Sequence, residues 1–154
     1  DAPHGVWQDA ELDHKQLDVA ESERARAMMD DAIALAKIQY QAVKDTMAAN
    51  SLSDIPVIIG ETGWKHTPTG GSHETYMAHP VNEKMYYDDM MGTWVYGADR
   101  GVNDGPLACF YFEAFDEPWK AGDDGWGLYD VDRNPYYVMS GTGYTASEAV
   151  YWTE

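Results

Sequence analysis

Two glutamates stand in the same local setting. Ile55-Pro56-Val57-Ile58-Ile59-Gly60 runs into Glu61, and Leu107-Ala108-Cys109-Phe110-Tyr111-Phe112 runs into Glu113. Neither apolar run alternates with polar residues, which is how a strand covered on both faces reads, as in a parallel sheet. Pro56 suits only the first positions of such a strand. One glutamate past a strand is most simply the first solvated residue. Two consecutive strands that end alike, each followed by an aromatic-rich loop, favour a site at their carboxyl ends. Paired carboxylates can protonate a leaving oxygen and attack a carbon, the two acts that break a glycosidic bond. The apolar C–H faces of a sugar lie against aromatic rings, and Trp64, Tyr76, Trp119 and Trp126 fall in the loops concerned. Trp and Tyr are equally at home in a core, so composition alone leaves both readings open.

A framework must hold those two strand ends. Residues 1–20 form an acid-rich approach with His4, Trp7 and His14 and no clear period. Met28, Ala32, Leu35, Ala36, Tyr40, Val43 and Met47 recur at helical spacing and predict a buried stripe on a helix over about 22–49, with Ser22 as N-cap. Asn50 and the residues to Asp54 end it. A loop over 62–79 leads to a second helix, about 80–98, opened by Pro80, with Val81, Met85, Met91, Trp94, Val95 and Ala98 turned inward. Residues 113–127 make a loop rich in acids and aromatics, and a turn-rich tail carries Tyr136, Tyr137, Tyr144, Tyr151 and Trp152. The order helix, strand, helix, strand indicates α/β architecture with right-handed crossovers. Two strands are too few for a covered parallel sheet, so the other strands are expected from another segment.

The 154 residues suit a single domain, and 27 acids against 10 bases give a net charge of -17. That balance argues against nucleic acid, whose phosphates require Lys and Arg, and against anionic membranes. No apolar stretch reaches the roughly 18 residues of a membrane helix. Cys109, the single cysteine, cannot form an internal disulfide and is expected buried. The chain opens on Asp1-Ala2-Pro3, as expected of a processed protein or a piece of a longer one.

The motifs themselves resemble a family. Ile58-Ile59-Gly60-Glu61-Thr62-Gly63-Trp64 is similar to the nucleophile motif of family 17 glycoside hydrolases, the β-1,3-glucanase and glucanosyltransferase group. Phe112-Glu113-Ala114-Phe115-Asp116-Glu117-Pro118-Trp119-Lys120, followed by Trp126-Gly127-Leu128-Tyr129-Asp130, resembles the last barrel strand and loop of its bacterial members. The resemblance implies the C-terminal portion of a (β/α)8 barrel, about the last two to three β/α units, with residues 1–154 forming part of one catalytic domain. It implies that Glu61 is the nucleophile of retaining hydrolysis on a β-1,3-glucan such as laminarin. Glu117, Lys120 and Asp123 would buttress the site, Lys120 being the cation that keeps the nucleophile ionised, and Asp123 stands where relatives commonly have Glu. Trp64, Glu113, Trp119 and Trp126 would bind sugar. The family's general acid lies in an upstream Asn-Glu pair. Asn82-Glu83 follows Glu61 instead and matches the Asn-Gln position of the helix between the last two strands, a helix-start acid suited to the macrodipole. The acid and the earlier strands are therefore expected from a longer precursor or a second chain. Lys65-His66 replaces a frequent Pro-Ser.

Other signals carry less. Asp130-Val131-Asp132-Arg133-Asn134 begins like a calcium loop, but Pro135 stands where Gly is required. His66 and His73 read as loop surface, and no histidine shows metal-ligand spacing. No metal or cofactor is expected. The sequence thus points to a secreted or periplasmic glucan hydrolase, with a glucanosyltransferase, a non-catalytic glucan-binding module and a plain acidic structural domain as alternatives.

Overall fold

Arg24–Ala49 contains neither Gly nor Pro and is rich in strong helix formers, and it forms one continuous helix, α1. The computed structural model describes residues 19–68, 78–102, 105–120 and 124–148. Expectations for residues 1–18, His73, Tyr76, Asp123, Tyr151 and Trp152 lie outside the described residues. A 3-10 turn, Glu21–Glu23, leads into α1, so Ser22 lies inside that turn and Glu23 takes the cap position without a side-chain bond. The buried face is Ala25, Met28, Met29, Ala32, Ile33, Ala36 and Tyr40. It stops there: Val43 is 48% exposed, because the last two turns run past the core. Ser51 adopts φ 61°, and Leu52 N–H reaches back to Met47 O at 2.9 Å, closing the helix where Asn50 suggested.

Strand β1 is Ile59–Thr62 and strand β2 is Cys109–Tyr111, paired in parallel. Both are shorter than their apolar runs. The ladder starts only where Leu107 N–H donates to Val57 O and Ile59 N–H to Ala108 O, each at 2.9 Å. Ile58 and Phe110 are 51% and 60% exposed, so among the described residues one face of this pair is open, against the expectation of cover on both. The covered face carries Val57, Ile59, Cys109 and Tyr111 toward the helices.

Helix α2, Pro80–Tyr87, lies between the strands, with Pro80 in its first turn and His79 Nδ1 accepting from Val81 N–H at 3.2 Å. It continues as a π-helix over Asp88–Val95, where Tyr96 N–H bonds Met91 O five residues back. The wider turn shifts the inward face. Tyr86, Met90, Trp94 and Val95 are buried, Met85 and Met91 only partly, and Ala98 is exposed. The core joins these residues to α1: Tyr40 meets Trp94 edge-on at 5.7 Å, and Trp64 packs on Tyr86 at 5.4 Å. Loss of a buried tryptophan of this kind costs roughly 3–5 kcal/mol. Cys109 is buried as expected, and burial pushes its thiol up to about 11, which leaves it unreactive.

The C-terminal segment folds back over the strand ends. Phe115 bridges Tyr129, and Tyr129 bridges Pro135. Asp130 accepts from the N–H groups of Asp132 and Asn134 and from Asn134 Nδ2, which holds its carboxyl below the usual range and makes this stretch a turn. A short helix, α3, spans Tyr137–Ser140 and ends at Gly141, φ 64°.

Candidate active site

The register of the two strands singles out Glu61. Ile59 pairs with Cys109 and Thr62 with Tyr111, so three steps along β1 match two along β2. The extra residue falls at Gly60-Glu61. Such a bulge bends a strand and re-aims a side chain, a device common beside active sites. Glu61 faces solvent there, while its neighbour Thr62 is buried and joins Tyr86 OH through Oγ1 at 2.6 Å. Phe112 N–H donates to Thr62 O at 2.6 Å and carries the pairing beyond β2. Glu113 follows across a cis peptide bond, its N–H donating to Trp126 O at 3.2 Å and its carbonyl accepting from Leu128 N–H at 2.9 Å. Both glutamates therefore rise from the carboxyl ends of adjacent parallel strands.

Beside Glu113 the chain turns sharply, Lys120 N–H donating to Glu117 O at 2.8 Å, and the Lys120 ammonium pairs with the Glu117 carboxylate. Lys120 and a hydrogen bond from Glu113 hold Glu117 below the ordinary carboxylate range. Glu113 moves the other way, to about 7, through desolvation first, then its hydrogen bond to Glu117 and the charge there. When Glu113 holds its proton it donates to a Glu117 carboxylate that the Lys120 ammonium neutralises. Replacing Lys120 by Met removes the favourable charge that lowers both carboxyls. Carbon-13 titration of the two carboxyls should then show Glu117 rising toward its ordinary value and Glu113 moving above about 7. An unmoved Glu113 midpoint would place Lys120 outside this pair.

The aromatic residues divide. Trp119 is 72% exposed on the rim. Trp126 is partly buried, edge-on to Phe112 at 6.1 Å, with the Lys65 ammonium 5.1 Å from its ring centre. Trp64 is fully enclosed against Tyr86. His66 is buried as well: its Nε2 lies 3.1 and 3.2 Å from the two oxygens of Asp116, and its ring stacks on Tyr136 at 4.1 Å.

The family model described as "Glycosyl hydrolases family 17" matches residues 6–140. The chain belongs to glycosyl hydrolases family 17. It is 39% identical over 92 residues to a protein of Arthroderma benhamiae named "Glucan 1,3-beta-glucosidase", covering 53% of this chain and 27% of that protein. It is 35% identical over 94 residues to "Putative glucan endo-1,3-beta-glucosidase btgC" of Aspergillus niger, covering 50% of this chain and 13% of that protein. The chain thus spans about a quarter or less of the length of these curated relatives. No solved structure matches it.

Within this family 17 chain the structure gathers Glu113, Glu117 and Lys120 into one cluster, sets Glu61 on the neighbouring strand and leaves Trp119 open. Asp123 lies outside the described residues. Trp64, expected as a sugar-binding ring, is enclosed: it packs on Tyr86 of α2, and its backbone N–H donates to Tyr111 OH of β2 at 3.2 Å. His66 is likewise not loop surface, because Asp116 draws the imidazole inward. Sequence reading missed the buried residues Lys65, His66 and Asp116 and the partly buried Tyr136 that joins them. The one available signal was Lys65-His66 in place of Pro-Ser. Asn82-Glu83 does sit in the first turn of α2, but Glu83 is 0% exposed, and neither of its carboxyl oxygens has a hydrogen-bond partner among the described residues. No group of acids, histidines or cysteines with metal-holding geometry occurs among those residues.

Proposed function

We propose that this chain carries the nucleophile half of a retaining β-1,3-glucan hydrolase, with Glu61 as the nucleophile. The observation that carries the proposal is the bulged, solvent-facing Glu61 beside the Glu113–Glu117–Lys120 cluster, at the shared carboxyl ends of two parallel strands in a family 17 chain. The printed names of both relatives, which concern 1,3-linked glucan, support the substrate class, and laminarin is the natural test polymer.

The Glu61 carboxylate attacks the anomeric carbon as the bond to the leaving oxygen breaks, forming a glycosyl ester. A second carboxyl protonates that oxygen and then activates water, whose attack on the anomeric carbon releases Glu61. In retaining enzymes the two carboxyls stand about 5–5.5 Å apart. The acid belongs to barrel strands outside this chain, supplied by a longer polypeptide or a second chain. Trp119 offers an open face for a pyranose, Glu113 and Glu117 offer oxygens to its hydroxyls, and Lys120 balances the charge of Glu117. Action on an extracellular polysaccharide fits a secreted or periplasmic protein, whose acidic surface is screened by salt.

A laminaribiosyl inactivator fluorinated at C2 of the reacting sugar slows release of the ester and traps it. In an active full-length preparation, peptide mapping should place the mass label on Glu61. A label on any other side chain removes Glu61 from the mechanism.

A further inference from the structure

The loop after Glu61 and the loop after Glu113 are fastened together by a buried polar knot that no step of the reaction uses. Asp116, 8% exposed, is fully engaged. Its Oδ1 accepts from Gly127 N–H at 2.8 Å and lies 3.1 Å from His66 Nε2. Its Oδ2 accepts from Tyr136 O–H at 2.7 Å and lies 3.2 Å from the same nitrogen. His66, 6% exposed, is held on its other side by Thr67 Oγ1, 2.7 Å from Nδ1. Its backbone N–H donates to Gly125 O at 2.8 Å.

Two close approaches show how tightly this region is packed, the first between the two loops and the second within the loop after Glu113. A Cβ on Gly63 would stand 2.0 Å from Phe112 O, and one on Gly127 would stand 2.4 Å from Asp116 N. Between those points Lys65 lies over Trp126. Residues 63–66 are therefore joined to Phe112, Asp116, Gly125 and Trp126, with Glu61 two residues before one end and Glu113, Glu117 and Lys120 on the other side. A buried carboxylate persists only with several donors, and removal of one leaves the rest strained against a desolvated charge.

We infer that His66, Asp116 and Tyr136 form a clasp that sets the spacing between Glu61 and the Glu113–Glu117–Lys120 rim, which makes His66 and Asp116 positioning residues for the reaction. This rests on the reading of Glu61 as nucleophile. Misplacement of a reacting group by about 1 Å costs on the order of 100-fold in rate, whereas a purely structural tie would alter stability and leave the chemistry of folded molecules intact. Glutamine can present an N–H where the imidazole Nε2 stands, and alanine cannot.

The test compares His66→Ala, His66→Gln and Asp116→Asn with wild type in the full-length protein. Amide hydrogen exchange at His66 and Gly127 is followed, together with laminarin kinetics per active site counted with the fluorinated inactivator. His66→Ala should speed exchange at both amides together and lower kcat roughly 10- to 100-fold with KM changed less than about threefold. Asp116→Asn should do the same, and His66→Gln should recover most of both effects. Faster exchange with an unchanged kcat would leave a structural tie and overturn the positioning role, while unchanged exchange would mean there is no clasp. A wild type that neither cleaves laminarin nor takes the label sinks the positioning claim together with the nucleophile reading, and the exchange data still show whether the clasp itself exists.

Discussion

Glu61→Gln is expected to lower laminarin turnover by roughly four orders of magnitude or more while leaving sugar binding in place. Glutamine keeps the size of the side chain and one hydrogen-bonding oxygen but cannot form the glycosyl ester. Four decades correspond to about 5.4 kcal/mol at the transition state. The fold should tolerate the change, because Glu61 faces solvent and its carboxyl is not part of the core. Thermal unfolding of variant and wild type should therefore coincide within roughly 0.5 kcal/mol.

A companion variant separates loss of a nucleophile from loss of shape. Glu61→Ala leaves a gap beside the anomeric carbon that azide can enter. With an activated glucosyl donor, whose leaving group needs no protonation, azide should restore turnover and yield the glycosyl azide of inverted configuration. Rescue without inversion, or Glu61→Gln with ordinary turnover, would falsify the assignment.

Glu83→Gln should make the protein more stable at neutral pH, by as much as about 3 kcal/mol, and flatten the dependence of its stability on pH. Glu83 is enclosed at the start of α2, and burial, aided by the charge of Asp116, raises its carboxyl from 4.5 to about 10. The folded protein thus keeps a proton there that the unfolded chain releases above pH 4.5. Stability is fully present below that value and is lost as pH rises toward about 10. Each pH unit in the window costs up to about 1.4 kcal/mol, which sets the upper bound of about 3 at pH 7. Glutamine has the shape of the protonated acid and does not titrate. The resemblance to family 17 motifs points the same way, since Asn82-Glu83 falls where relatives carry Asn-Gln.

Urea unfolding of both proteins at several pH values from 4 to 9 measures this. The curves should meet near pH 4 and diverge above it, a difference from which the other 26 acids largely cancel because both proteins contain them. Parallel curves would mean that Glu83 ionises alike in the folded and unfolded states.

Much of the framework was legible one residue at a time. The stripe from Met28 to Tyr40 and the absence of Gly and Pro define α1, Pro80 marks the start of α2, and the apolar runs before Glu61 and Glu113 locate the two strands. These are local properties, set by neighbours within a turn or two. The site motifs belong to the same class, since each is a continuous string around one strand end.

What the sequence concealed depends on pairing between distant segments. His66 and Asp116 are 50 residues apart, and Thr62 meets Tyr86 across 24. The bulge at Gly60-Glu61 exists only relative to β2, and the inward face of α2 shifts only once its continuation widens into a π-helix. Trp64 and Trp119 are the same amino acid in similar loops, yet one is enclosed against Tyr86 and the other is left on the rim. Residue type and spacing by themselves determined the elements and the chemistry available at their ends. Tertiary packing alone decided which groups lose water and which meet across the chain: desolvation raises the carboxyls of Glu83 and Glu113, and contacts from His66, Gly127 and Tyr136 make Asp116 the centre of a clasp.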